Sequence, residues 1–334
     1  MLRPMDHVFL GRTGVRVSAL AFGTMAFGGD ADDETSAQLF ACARDAGVNF
    51  FDCADVYNGG HSEELLGRFV AGCRDEVVIS SKAYFPTGPG PNDRGTSRYH
   101  LRNAVEGSLR RLGTDRIDLY FLHRMDEVTD LDETLREVER LVTAGKILYP
   151  AVSNFAAWQT MKALGVARHN GWAPLCAVQP MYNLAKRQAE VEILPLCASE
   201  GLACFPYGPL AGGLLTGKYG VQRRPTSGRL VDVEMYATRY EAEENYAIAD
   251  RFVEFAAEAG YEPVPLAIAW VASHPAVTAP LLGARNVAQL SAALKAADID
   301  MTPRLRAAIS DLSPTPAPAT DRNEETSAHN YGAR

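Results

Sequence analysis

A (β/α)8 barrel, preceded by a β-hairpin and followed by a short polar tail, is the fold class this sequence predicts. Eight short apolar runs alternate with amphipathic stretches along most of the 334 residues, and that alternation marks strand–helix units around a parallel sheet. Eight such units suit a closed barrel, whose usual size is about 250 residues. An open doubly wound sheet is the rival, and it would carry a G-x-G-x-x-G turn after its first strand. The chain reads AFGTMAFGG there, without that spacing.

The opening VFLGRTGVRV has Thr13-Gly14 at a turn and β-branched residues on the return, which predicts a hairpin plugging the barrel end opposite an active site. Strands are expected at Ser18–Phe22, Asn49–Asp52, Val77–Lys82, Ile117–His123, Ile147–Ser153, Leu175–Gln179, Ala203–Tyr207 and Thr278–Leu282. Amphipathic periodicity places helices at Asp33–Ala46, Glu63–Ala71, Arg98–Leu112, Asp130–Ala144, Ala156–His169, Glu190–Glu200, Ala242–Ala259 and Asn286–Ala296. Ser62 is positioned to N-cap the second helix, and Trp158 and Trp270 read as helix packing residues, with Trp172 in a loop. Thr216–Tyr240 has no clear period, and loops of that length are commonly functional. Residues 1–312 form one barrel domain on this reading. Residues 313–334, SPTPAPATDRNEETSAHNYGAR, form a Pro- and polar-rich tail.

Hydrophobic residues at 47% and charged residues at 22% permit a sizeable core. A net charge of -8 without a long basic run argues against a nucleic-acid or anionic-membrane partner. The expected partner is a small molecule, bound by a monomer or homo-oligomer. Six cysteines without a C-x-x-C pair read as buried thiols, and no metal site is expected. The N-terminal segment lacks an apolar signal core and no run is long enough to span a bilayer, so a cytoplasmic location is expected.

The candidate chemistry lies at four positions. Asp52, Lys82 and His123 each end a strand-like run, and Tyr57 follows Asp52 by one short turn. A carboxylate, a phenol, an ammonium and an imidazole gathered at one sheet end form a proton-transfer device. The free phenol pKa of about 10 is too high for easy work near neutrality. An adjacent Lys cation lowers it, an Asp holds the Lys, and a His hydrogen-bonds the substrate oxygen or relays a proton. The expected geometry has the Tyr57 hydroxyl within hydrogen-bond reach of Lys82, with His123 facing the same cavity.

The ordered segments AFGTMAFGG, FFDCADVYNGGHSEELLGR, SSKAYF, IDLYFLHR, VSNF, VQPMYN, FPYGPLAGGLLTGKY and PLLGARNVAQL resemble the aldo-keto reductase superfamily from about Val8 to Ala297. The resemblance implies a TIM barrel, with Tyr57 as the acid, Asp52 and Lys82 as its supports, and His123 beside the carbonyl. It implies that Gly23 and Thr24 belong to the cofactor site and that Ser153, Asn154 and Gln179 bind a nicotinamide carboxamide. Tyr207 offers a ring for stacking. Gly208 stands where the family usually has Ser, and Leu210, Gly212 and Lys218 continue the phosphate-side segment. Gly283 closes the eighth strand and Arg285 opens the last helix, where partial positive charge gathers. A guanidinium there suits a ribose 2′-phosphate, and no carboxylate for a bare diol occurs between Thr278 and Ala296. NADP(H) is the expected cofactor. Gln289 matches the family, whereas Ala292-Ala293 replaces its usual Glu-Asn pair at the adenine.

Met25, Tyr84, Phe85, Arg124 and Met125 follow strand ends and are the candidates for lining a substrate pocket. The expected reaction is reduction of an aldehyde, ketone or sugar carbonyl. Two alternatives stay open: an NAD(P)-dependent aldose or polyol dehydrogenase, and a redox-sensing binding protein like potassium-channel β subunits, which keeps the same four residues.

Overall fold

The computed structural model describes residues 5–322, 324 and 327. Strands β1 (His7–Phe9) and β2 (Arg16–Ser18) pair antiparallel, with the Leu10 N–H donating to the Val15 carbonyl at 2.8 Å. The alternation of strand and helix then begins: β3 (Ala21–Gly23), α1 (Asp33–Asp45), β4 (Phe50–Asp52), α2 (His61–Val70), β5 (Val78–Ala83), α3 (Arg98–Leu112), β6 (Ile117–Leu122) and α4 (Leu131–Thr143). It continues through β7 (Ile147–Ser153), α5 (Ala157–Asn170), β8 (Ala177–Gln179), α6 (Ile193–Glu200) and β9 (Ala203–Cys204). Four helices follow, α7 (Arg229–Asp232), α8 (Glu234–Arg239), α9 (Glu243–Glu258) and α10 (Pro263–Ala272). Then come β10 (Leu281–Leu282), α11 (Val287–Leu294) and α12 (Pro303–Ser310).

Strands β3 to β10 form one parallel sheet in the order β10-β3-β4-β5-β6-β7-β8-β9. The ring closes between β9 and β10, where the Thr278 N–H donates to the Cys204 carbonyl and the Leu281 N–H to the Pro206 carbonyl, both at 2.8 Å. Side chains alternate across the staves. Phe50, Leu119, Phe121, Ala177, Ala203, Phe205 and Ala279 fill the interior, while Phe51, Ile79, Tyr120, Leu122 and Val152 face the helices. Leu10 and Val17 of the hairpin belong to the interior cluster, so the hairpin plugs the barrel as expected. The fit is close: a Cβ on Gly11 would come 2.9 Å from the Gly201 carbonyl oxygen.

Helix starts follow local chemistry. Asp32, Ser97, Asn286 and Thr302 each accept a backbone N–H as N-caps of α1, α3, α11 and α12. The structure corrects several sequence expectations. The segment Thr216–Tyr240 contains α7 and α8. Helices α10 and α12 were not expected, and α11 is not the last helix. Ser18 belongs to the hairpin, where its N–H and hydroxyl engage Asn49. Named strand β9 ends at Cys204, just before Pro206, which has no N–H for the ladder.

Ser62 does not cap α2, whose N-cap is Gly60; its buried hydroxyl donates to Thr24. Trp270 is fully buried, but Trp158 is 63% exposed on α5 and is no core residue. Ser313 is buried, and Arg187 donates to its carbonyl and to that of Ser310, which fastens the start of the tail. The expected tail otherwise lies partly outside the described residues.

Candidate active site

Strands β4, β5 and β6 run parallel, so their C-terminal ends deliver Asp52, Lys82 and His123 to one mouth. Tyr57 opens a 3-10 turn, Tyr57–Gly60, just beyond β4. That turn is anchored by Asn58, whose side-chain amide donates to the Met25 and Phe27 carbonyls. Asn58 itself has a positive φ of 49°, a conformation Asn tolerates better than most residues.

Asp52 is held on both oxygens. Oδ2 accepts from Lys82 Nζ at 2.6 Å, while Oδ1 accepts from Ser80 Oγ at 2.7 Å and from Gln179 Nε2 at 3.0 Å. Lys82 is fully buried and donates also to the Cys53 carbonyl at 2.7 Å. Its ammonium lies 5.2 Å from the centroid of the Tyr57 ring. The four expected residues are therefore brought together, yet among the described contacts Lys82 bonds Asp52 and Cys53 rather than the Tyr57 hydroxyl. Burial, and next the Asp52 carboxylate, hold the Tyr57 phenol well above its ordinary pKa. The Lys82 charge does not draw it down because Asp52 already neutralises that charge at contact distance.

His123 is buried, with Nδ1 lacking a hydrogen-bond partner. Burial, then the nearby Lys82 cation, depress its pKa well below 6.5, so the ring is neutral. Its ring stands edge-on to Tyr57 at 6.1 Å and to Phe85 at 4.9 Å, with Tyr84 next to Phe85 at 5.3 Å. Met25 is partly exposed, Arg124 exposed and Met125 half-buried around the same strand ends.

The remaining candidates divide into two groups. Ser153 and Asn154 end β7, Gln179 ends β8, and Tyr207 follows β9. The Tyr207 hydroxyl donates to Asn154 Oδ1 at 2.7 Å, and Asn154 Nδ2 donates to the His123 carbonyl and to Ser153 Oγ. Ser153 donates in turn to the Gln179 carbonyl at 3.0 Å. This chain of bonds ties the expected carboxamide binders to His123 and, through Gln179, to Asp52. Gly23 pairs in register with Asp52. Thr24 is fully buried, its hydroxyl donating to the Asp52 carbonyl, which makes it a buttress of the strand end.

Farther from the four, Gly208, Gly212 and Gly213 have φ of 67°, 69° and 100°, with Leu210 between them half-buried and Lys218 exposed. Gly283, Arg285 and Gln289 are exposed at the start of α11. Arg285 precedes the cap Asn286 and so does not open the helix; its N–H donates to Gln289 Oε1 at 3.0 Å.

Sequence reasoning missed three features. Ser80 was findable, because it shares the Lys82 face of β5 by strand alternation. Tyr236 on α8 lies near enough to Tyr57 to help hold the Tyr57 pKa up. Arg239 stacks over Tyr236 at 5.0 Å and reaches Tyr207 at 6.0 Å. Both lie in the segment that has no periodicity.

The chain as a whole matches known proteins. The family model described as the aldo/keto reductase family matches residues 19–313. An uncharacterised oxidoreductase of Bacillus subtilis, YrpG, is 38% identical over 95% of this chain and 98% of its own length. A probable voltage-gated potassium channel subunit beta of Arabidopsis thaliana is 35% identical over 88% of this chain and 92% of its own length. A versiconal hemiacetal acetate reductase of Aspergillus parasiticus is 30% identical over 90% and 94%, respectively. With the barrel, the strand-end tetrad and a match across nearly its whole length, the chain belongs to the aldo/keto reductase family.

Proposed function

We propose that this protein is an NADPH-dependent reductase of aldehyde or ketone carbonyls, sugars included, in which Tyr57 is the general acid. The observation that carries the reading is the convergence of Asp52, Lys82, Tyr57 and His123 at one barrel mouth. The residues present fit a nicotinamide dinucleotide. Tyr207 offers an aromatic face at the strand ends. Three positive-φ glycines, Gly208, Gly212 and Gly213, line the following segment, where backbone N–H groups can approach an anion closely. Exposed Arg285 at the start of α11 suits a 2′-phosphate. A bound NADPH supplies the hydride.

The chain supplies position and the proton. A high Tyr57 pKa keeps the phenol protonated through the neutral range, ready to donate as charge grows on the carbonyl oxygen. His123, neutral and packed edge-on against Tyr57 and Phe85, orients that oxygen by a hydrogen bond. Lys82 is the cation nearest the resulting phenolate, and Asp52 keeps it in place. The Ser153–Asn154–Tyr207 chain holds the stacking ring steady. Tyr84, Phe85, Met25, Met125 and Arg124 supply the walls for the rest of the substrate.

Tyr57→Phe tests the assignment. Turnover of a panel of aldehydes, ketones and sugars, followed by NADPH consumption, should fall about 10²–10⁴-fold, with cofactor affinity nearly unchanged. Retention of more than roughly a tenth of the wild-type rate would remove Tyr57 as the acid. A chain that binds NADPH but turns over no carbonyl would support a binding role instead.

A further inference from the structure

A cavity of about 150 Å3 lies outside the barrel wall, between α3 and the loop that follows β5. It is separate from the mouth, although Asp55, on its inner side, is two residues from Tyr57. Asp55 is 2% exposed, and neither of its carboxylate oxygens has a hydrogen-bond partner. His100 of α3, 3% exposed, lines the same cavity, and its Nε2 also has none. Tyr120 on β6 lies outside the cavity lining, but it is near enough to feel the Asp55 charge, and its buried hydroxyl also has no partner. Buried polar atoms are almost always satisfied in folded proteins, so Asp55 and His100, unpartnered on one cavity, call for an occupant.

The chemistry of that occupant follows from what is left over. Arg111 reaches the cavity wall, but Nε and Nη2 both hold Glu63 at 2.7 Å, so that pair is locally neutral. Arg110 stands at the exposed rim. Against it are two carboxylates, Asp55 and Asp93. Burial, more than any other cause, lowers the His100 pKa and keeps the ring neutral, and Nε2 is an acceptor in the tautomer that carries its proton on Nδ1. Once Asp55 is ionised, above its raised value of about 8, its two oxygens are acceptors and the cavity carries a net negative charge, with His100 Nε2 beside them. No group of three His, Cys, Asp or Glu suited to a metal occurs among the described residues. An N–H donor with positive charge satisfies what is there, and the volume limits it to a few heavy atoms.

We propose that this cavity is a second binding site, for a small organic cation with N–H donors such as a primary alkylammonium, held between Asp55 and His100. The proposal does not depend on the reductase reading. Because Thr87, Asn92 and Asp93 wall the cavity on the loop that carries Tyr84 and Phe85, an occupied site would brace the substrate side of the mouth from behind. Burial, and next the Glu63 charge, push the Asp55 carboxyl up to about 8, opposed by Arg111, by the nearby Val56 N–H, which does not close a hydrogen bond, and by Lys82. A bound cation favours the ionised form, so binding and deprotonation are linked.

The test uses the wild-type chain titrated with methylammonium chloride, with tetramethylammonium chloride and potassium chloride at matched ionic strength as controls. Calorimetry and thermal melting are the readouts. Methylammonium is expected to bind saturably and to raise the melting temperature beyond either control, with affinity about tenfold greater at pH 9 than at pH 7. Asp55→Asn should weaken binding at least about tenfold and remove the pH dependence. Should that variant not fold, Ala104→Met fills the cavity from α3 without touching Asp55, and is expected to abolish binding while leaving carbonyl reduction unchanged. Identical responses to the three salts mean a cavity filled by water alone and overturn the proposal. So does methylammonium binding that survives either variant.

Discussion

Asp52 shows how tightly one residue can be specified. Its two oxygens collect Lys82 and Ser80 from the neighbouring strand and Gln179 from β8, across the barrel. Removing the Lys82 ammonium leaves a carboxylate nearly sealed from water. Lys82→Met is therefore expected to cost about 3–5 kcal/mol of stability, measured by urea unfolding, in addition to its effect on turnover. A loss well under 1 kcal/mol would mean that water enters and rehydrates Asp52. The same residue marks what a sequence can reveal. Asp52, Lys82 and His123 were legible because polar groups ending apolar strands are anomalous. The Gln179–Asp52 bond was not, since an amide at a strand end has several partners within reach and only the closed barrel selects one. Trp158 misled for a related reason: α5 has weak amphipathic contrast, so its buried stripe cannot be located from spacing alone.

Among the elements, the start of α11 bears most directly on cofactor choice. Asn286 caps the helix and Gln289 Oε1 accepts the Arg285 N–H, which fixes the backbone of Arg285 and leaves its exposed guanidinium for a ligand. Arg285→Ala should weaken NADPH roughly ten- to a hundredfold, as loss of a charge-assisted phosphate contact does, while NADH affinity changes little. Fluorescence titration with each cofactor checks this; equal losses would show that Arg285 only supports the turn. On the proposed reading, Ala292 and Ala293 would give the adenine no polar contact, so the phosphate should carry a large share of the affinity. Long periodic helices such as α3 were legible to the residue. Helix α10, PVPLAIAWVA, was not, because a helix buried on every side has no polar face to give it a period. Helices α7 and α8 are too short to show one.

For the molecule as a whole, buried titratable groups set opposing slopes of stability against pH. His100, His123 and His274 all have pKa values lowered by burial. Below their ordinary value of 6.5 the unfolded chain takes up protons that the folded chain refuses, so stability falls on acidification. Asp55, raised to about 8 from 3.8, acts the other way: across that window the folded chain holds the extra proton, and stability declines as pH rises toward 8. Thermal melting should therefore peak near about pH 6.5. Asp55→Asn should flatten the alkaline side and steepen the acid side, since the Asp55 contribution runs from its ordinary value of 3.8 up to about 8. An unchanged alkaline slope would mean that Asp55 is already ionised in the folded protein. The barrel's closure has a consequence for synthesis. One edge of β3, near the start of the chain, pairs with β10, near its end. A ribosome adding about 5–20 residues per second therefore leaves the nascent sheet with two open edges until β10 and the segment clamped by Arg187 have emerged. Such edges recruit stray strands, which makes the last stretch of translation the interval when this protein most needs a chaperone.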